Sequence, residues 1–130
     1  MAQEVVPNLF VGDYPDALRF EGETLCVLEG AREAHPHATH WLPVLQGEPG
    51  KDFYASPARL DEISVLITER LQAGVRLLVH CGAGIERAPL VVAWWLVRTG
   101  RHVDLATAYQ HLMGVRPQVQ SRQAWVREGG

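Results

Sequence analysis

The sequence predicts an α/β fold in a single domain, a central and mostly parallel sheet flanked by helices. Three observations lead there. Apolar runs short enough for strands alternate with stretches of helical periodicity from residue 24 onward. The run Val75-Arg76-Leu77-Leu78-Val79 carries few polar residues, as an interior strand covered on both faces does. A chain of 130 residues suits one compact unit, so residues 1–130 are read as one domain.

Taken in order, Val5-Val6 and Leu9-Phe10-Val11 flank Pro7-Asn8 and end at Gly12-Asp13, the pattern of a small hairpin or bent edge strand. Residues 24–28 (TLCVL) and 39–44 (THWLPV) are further strand candidates, separated by the polar loop AREAHPHA. The stretch QGEPGKDFYA, residues 46–55, has no period and reads as an exposed loop. Ser56-Pro57 then opens a helix as N-cap and first helical residue, with Leu60, Ile63, Ile67 and Leu71 on one face and Gly74 as its stop. After Val79, residues 90–97 (LVVAWWLV) are apolar all round and predict a buried helix that takes Trp94 and Trp95 into the core. Asp104 caps another helix, with a stripe of Leu105, Ala108, Tyr109, Leu112 and Met113. A last short helix is expected over residues 120–127, packing through Ala124 and Trp125, and Gly129-Gly130 is expected to fray.

Composition excludes several classes. Hydrophobic residues make up 47% and charged residues 21%, which rules out disorder. Twelve Lys and Arg against 15 Asp and Glu give a net charge of -3, so no nucleic-acid partner is expected. The absence of a long apolar run predicts no membrane contact, and a cytoplasmic location is expected. Charge is uneven: residues 1–74 hold 5 basic and 12 acidic side chains, residues 75–130 hold 7 and 3. An anion site therefore belongs in the second half. Two cysteines, Cys26 and Cys81, are too few for a disulfide scaffold.

The chemistry concentrates in His80-Cys81-Gly82-Ala83-Gly84-Ile85-Glu86-Arg87, where an interior strand gives way to a helix. A helix N-terminus offers unpaired N–H groups and the positive end of its dipole. Two glycines allow the backbone to curl into a nest of amides. A cysteine at the base of that loop, beside a guanidinium, is favoured as the thiolate. Thiolate, arginine fork and amide ring together suit a phosphate monoester.

The same residues spell H-C-x-x-G-x-x-R, and this segment resembles the phosphate-binding loop of the cysteine-dependent protein tyrosine phosphatases. The chain is similar over nearly its full length to the compact dual-specificity branch: VVPNLFVGD to its first strands, THWLPV to the strand before its general-acid loop, YQHLMGVRP to the helix and Arg-Pro turn beyond the site. The resemblance implies a protein tyrosine phosphatase-like fold and a hydrolase that forms a phosphocysteine. Cys81 would be the nucleophile. Arg87 would clamp the phosphoryl oxygens, and the backbone of Gly82, Ala83, Gly84, Ile85, Glu86 and Arg87 would complete the cradle. His80 would orient the cysteine backbone. No cofactor and no metal are implied. The expected partner is a phosphorylated protein or small phosphate monoester, met by a monomer. By the same resemblance, the short loop before the helix implies a pocket shallow enough for phosphoserine and phosphothreonine beside phosphotyrosine. The variable loop positions carry no lysine, which disfavours multiply phosphorylated lipids.

Two departures from the family pattern stand out. Ala88 occupies the place of a Ser or Thr whose hydroxyl donates to the cysteine sulfur, and Gln46 the place of the usual general-acid Asp. Glu48 and Asp52 are the carboxyls left in that loop for the acid role. These departures motivate an alternative from another class, a phosphate-binding pseudophosphatase without efficient turnover. A third reading, a sulfur-transfer or arsenate-reducing enzyme, would need a second cysteine, and Cys26 reads as core packing. His35, His37 and His40 invite a zinc reading, but no further ligands complete a set.

Overall fold

The computed structural model describes residues 1–48 and 51–128; the Gly129-Gly130 expectation and two positions of the 46–55 loop lie outside the described residues. Five strands form one sheet: β1 (Gln3–Val6), β2 (Leu9–Gly12), β3 (Glu23–Cys26), β4 (His40–Trp41) and β5 (Leu77–His80). Their order is β1-β2-β5-β3-β4. The β1–β2 hairpin is antiparallel, turning through Asn8 at φ 72°. The pairs β2–β5, β3–β5 and β3–β4 are parallel. The predicted mostly parallel sheet is thus what forms.

β5 is the central strand and all four of its residues are buried. Its apolar character follows from this position, since β2 and β3 flank it and α1 (Tyr14–Arg19), α2 (Pro57–Gln72) and α3 (Arg87–Arg98) all touch it. α4 (Leu105–Val115) packs on α3 and β1. The caps fall where the sequence places them. Ser56 Oγ accepts from Arg59 N, and Asp104 accepts from Thr107 N. α3 buries residues from Ala88 through Ala93 together with Trp95 and Leu96. Among the described residues no helix is long and apolar enough to cross a membrane.

Three expectations need correction, and one element was not foreseen. The last helix is only a 3₁₀ turn, Gln123–Trp125, because the chain on either side is bonded elsewhere: Gln120 N to Ile85 O at 2.9 Å, Ala55 N to Trp125 O at 2.7 Å and Arg127 N to Ala55 O at 3.1 Å. The strand expected over residues 39–44 pairs only at His40–Trp41, after which Leu42 and Val44 bond singly to Cys26 and Val27. Met113 leaves the predicted stripe and is exposed. α1 was not foreseen. It is a single short helix held by a capping box, with Asp13 accepting from Asp16 N and Asp16 from Asp13 N.

Candidate active site

Parallel strands carry their ligand sites at their C-terminal ends, and here β5 runs out into Cys81 and the loop that opens α3. Cys81 is buried, 3% exposed, and Gly84 is buried with it, while Gly82 and Ala83 are exposed and residues 85–87 half-buried. The loop's curl is visible in where its carbonyls go. Gly82 O accepts from Tyr14 N at 2.9 Å, Ala83 O from Arg116 Nη2 at 3.0 Å, Gly84 O from Arg116 Nε at 2.9 Å and Ile85 O from Gln120 N at 2.9 Å. In a trans peptide the following N–H points opposite to the carbonyl. With those carbonyls bonded outward, the N–H groups of residues 83–86 face the concave side. That is the arrangement a nest requires, and of the two glycines only Gly84 needs to be one. It sits at φ +69°, and a Cβ there would lie 2.5 Å from Gly12 O; a Cβ on Gly82 would meet nothing within 4 Å.

Arg116 is the residue that sequence reasoning missed as a builder of this loop. It is 2% exposed and spends its guanidinium on the Ala83 and Gly84 carbonyls, the Met1 carbonyl and the Gln3 side chain. The available signal was the Arg-Pro pair at 116–117, a charged residue directly after an amphipathic helix. Its partners lie more than 30 residues away, which no local pattern shows.

Cys81 Sγ accepts from Ala88 N at 3.4 Å, so the main chain supplies a donor where residue 88 has no hydroxyl. His80 is fully buried, with Nδ1 3.3 Å from Cys81 O and Nε2 3.1 Å from His37 Nε2. Burial, above all, pushes the His80 imidazole down to about 4, and burial lowers His37 as well. His37 Nδ1 and His35 Nδ1 both lie within hydrogen-bond reach of Tyr14 Oη. His40 contacts Glu23 at 2.7 Å, and Glu23, held mainly by hydrogen bonds from Arg70 and then His40, is lowered to about 2. Each histidine of the HPHATH stretch is thus engaged in a hydrogen bond. Among the described residues no cluster of three His, Cys, Asp or Glu side chains is placed to hold a metal. Cys26 is fully buried beside His80 in the β3–β5 pairing, and burial raises its thiol.

Arg87 begins α3 and meets a partner the sequence did not suggest. Its Nε and Nη2 donate to Glu29 Oε1 and Oε2 at 2.6 and 3.1 Å. Glu86 receives Arg122 Nε at 2.6 Å, and the Trp125 ring stands 6.0 Å from the Arg87 guanidinium and 5.5 Å from that of Arg122. The C-terminal segment therefore forms one wall beside the loop. Gln46 is occupied structurally: its main chain bridges Tyr54, and its side chain accepts from Ser56 Oγ at 2.5 Å. Glu48 is exposed and paired with Lys51 at 3.4 Å; Asp52 is exposed and paired with Arg127.

No family model matches the chain. Among known sequences it is 26% identical over 102 residues to the 123R protein of Invertebrate iridescent virus 6, named for a tyrosine phosphatase, covering 76% of this chain and 69% of that one. It is also 26% identical over 136 residues to dual specificity protein phosphatase 12 of Rattus norvegicus, covering 95% of this chain but only 39% of the rat protein. Among solved structures, human DUSP28 superposes with a TM-score of 0.69 at 26% identity, covering 95% of this chain and 86% of that one. In loop pattern, fold and relatives the chain is similar to the dual-specificity branch of the cysteine-dependent protein tyrosine phosphatase superfamily.

Proposed function

We propose that the chain is a phosphatase that hydrolyses phosphate monoesters on protein, phosphotyrosine first, with phosphoserine and phosphothreonine within reach. It would act as a cytoplasmic monomer. The observation that carries this reading is the loop itself: carbonyls bonded outward, amides of residues 83–86 turned inward, Sγ of Cys81 at its base and Arg87 at its exit. In the reaction, the Cys81 thiolate attacks phosphorus in line and the bond to the ester oxygen breaks. A carboxyl of the 46–55 loop, Asp52 or Glu48, gives that oxygen its proton. The inward amides and Arg87 hold the equatorial oxygens as charge spreads over them. Water then attacks the phosphocysteine, returning the thiolate and releasing phosphate. Trp125 offers a flat apolar surface beside Arg87, suited to an aryl leaving group.

The test is hydrolysis of aryl phosphates with leaving groups of graded basicity, by the wild type and by Cys81→Ser, Asp52→Asn and Glu48→Gln. Turnover of every ester, abolished in Cys81→Ser, is the expected result. Whichever carboxyl is the acid, its loss should cost ~10²–10⁴ in rate on the most basic leaving group and far less on the most activated one. Turnover surviving in Cys81→Ser refutes the mechanism. A second reading, a phosphate-binding pseudophosphatase, is favoured by two observations: Gln46 is committed to Ser56, and Sγ has only a main-chain donor at residue 88. Oxyanion binding without turnover of any ester would establish it.

A further inference from the structure

Arg87, the residue assigned to clamp phosphate, already holds an anion. Glu29 takes its Nε–Nη2 edge with both carboxylate oxygens, in a half-buried pair with side chains 23% and 31% exposed. Two parallel bonds of this kind are the geometry by which a guanidinium binds phosphate. We propose that Glu29 is a built-in competitor: it occupies Arg87 until a phosphate group displaces it, and so sets how tightly the site takes phosphate. The proposal deepens the phosphatase reading and rests on it.

Glu29 is placed there by the fold and not by attraction to Arg87 alone. β3 lies beside β5, and the chain leaving β3 stays against the chain leaving β5 through Val27 N to His80 O at 3.1 Å. Glu29 O lies 3.0 Å from His35 Nε2, and His35 is itself buried. Arg32 ties the next turn by donating to the His35 and Ala38 carbonyls. This scaffold fixes the Glu29 main chain beside the loop whether or not Arg87 is engaged.

The electrostatic consequence is direct. Glu86, the other carboxylate of the loop region, is paired with Arg122 through a single bond, Nε to Oε2 at 2.6 Å. Glu29 and Glu86 thus offset Arg87 and Arg122, and attraction for a dianion is left to the Arg116 guanidinium behind the loop, the inward amides and the helix dipole. A phosphate that takes the same Nε–Nη2 edge of Arg87 must break the Glu29 pair and then sit near a carboxylate, and like charges at that range repel.

The experiment is calorimetric binding of inorganic phosphate and of tungstate to the wild type, Glu29→Gln, Arg87→Met and the double variant. Glu29→Gln should tighten binding roughly ten-fold, about 1.4 kcal/mol. In the Arg87→Met background the same substitution should lose most of that gain, because the competition has been removed. Unchanged or weaker binding in Glu29→Gln overturns the proposal and makes Glu29 a holder of Arg87. If circular dichroism shows Glu29→Gln unfolded, Glu29→Asp, which shortens the reach to Arg87, must move affinity in the same direction. Tightened binding without ester hydrolysis upholds the competition while the phosphatase reading falls. Binding in none of the proteins removes both.

Discussion

Gly84→Ala tests whether the loop's shape is what makes the site. The residue sits at φ +69°, where an added Cβ is disfavoured by ~1–2 kcal/mol. That Cβ would also lie 2.5 Å from Gly12 O, 2.6 Å from Gly12 C and 2.9 Å from Arg116 Nη2, all closer than real contacts allow. Gly12 is backbone in β2 and the Arg116 guanidinium is bonded to loop carbonyls, so neither can yield cheaply. Overpacking of this sort costs about 1–3 kcal/mol. Together the two effects give roughly 2–5 kcal/mol, or a fall in Tm of about 8–20 °C for a domain of this size. Because the strain is relieved by moving the loop off Arg116, anion binding should fall as well. The comparison is Gly82→Ala, where a Cβ meets nothing within 4 Å; its melting temperature should match the wild type. Differential scanning calorimetry and tungstate binding read both effects. A Gly84→Ala protein as stable as Gly82→Ala, with tungstate bound at wild-type strength, would refute the claim that this close approach holds the cradle.

Further predictions concern turnover and pH. Among the described residues Sγ accepts only from the Ala88 N–H at 3.4 Å, so on the proposed mechanism breakdown of the phosphocysteine should be slow, giving a burst of product in stopped-flow traces. Ala88→Ser should shrink the burst and raise steady turnover, and an unaltered trace counts against this account. His80, at about 4 in the folded protein against 6.5 unfolded, stays neutral in the fold while the unfolded chain takes a proton. Its contribution is thus complete above pH 6.5 and drains away as pH falls toward 4, by up to ~3 kcal/mol. Chemical denaturation at pH 7.5, 6, 5 and 4.5 should show that slope, and it should flatten in His80→Asn. The Glu23 cluster acts in a lower window, stabilising above pH 4.5 and failing as pH drops toward 2, so a loss confined below pH 4.5 would contradict the His80 assignment.

What could be read ahead of the structure was what local physics controls. Ser56-Pro57 and Asp104 place their helix starts because a cap is satisfied within three residues. β5 announces itself by its apolar run because both its faces are covered. The failures are tertiary or too short to carry a period. α1 spans six residues around a proline, and its sign, Asp13 with Asp16, is a weaker box than one closed by Glu or Gln. Residues 120–127 carry the adjacent apolar pair Ala124 and Trp125, yet their backbone groups pair with Ile85 and Ala55 across the fold, and pairing overrides propensity.

The site divides along the same line. Cys81, Gly84 and Arg87 share one turn of chain, so their spacing is itself a geometric statement. Glu29 and Arg116 reach that turn from elsewhere, one because β3 happens to neighbour β5, the other from the end of α4. The missing acid follows from the same logic. Gln46 stands where a carboxylate is expected, but its amide oxygen accepts from Ser56 Oγ, which in turn accepts from Arg59 N at 3.2 Å. Residue 46 has thus become part of the start of α2, and a side chain needed to fix a helix terminus is not available to swing toward a leaving group. On the proposed mechanism the proton would come from further along the loop, where Asp52 is tied to Arg127 and so to the segment that carries Trp125. Acid and aryl-facing wall would be coupled through that one ion pair.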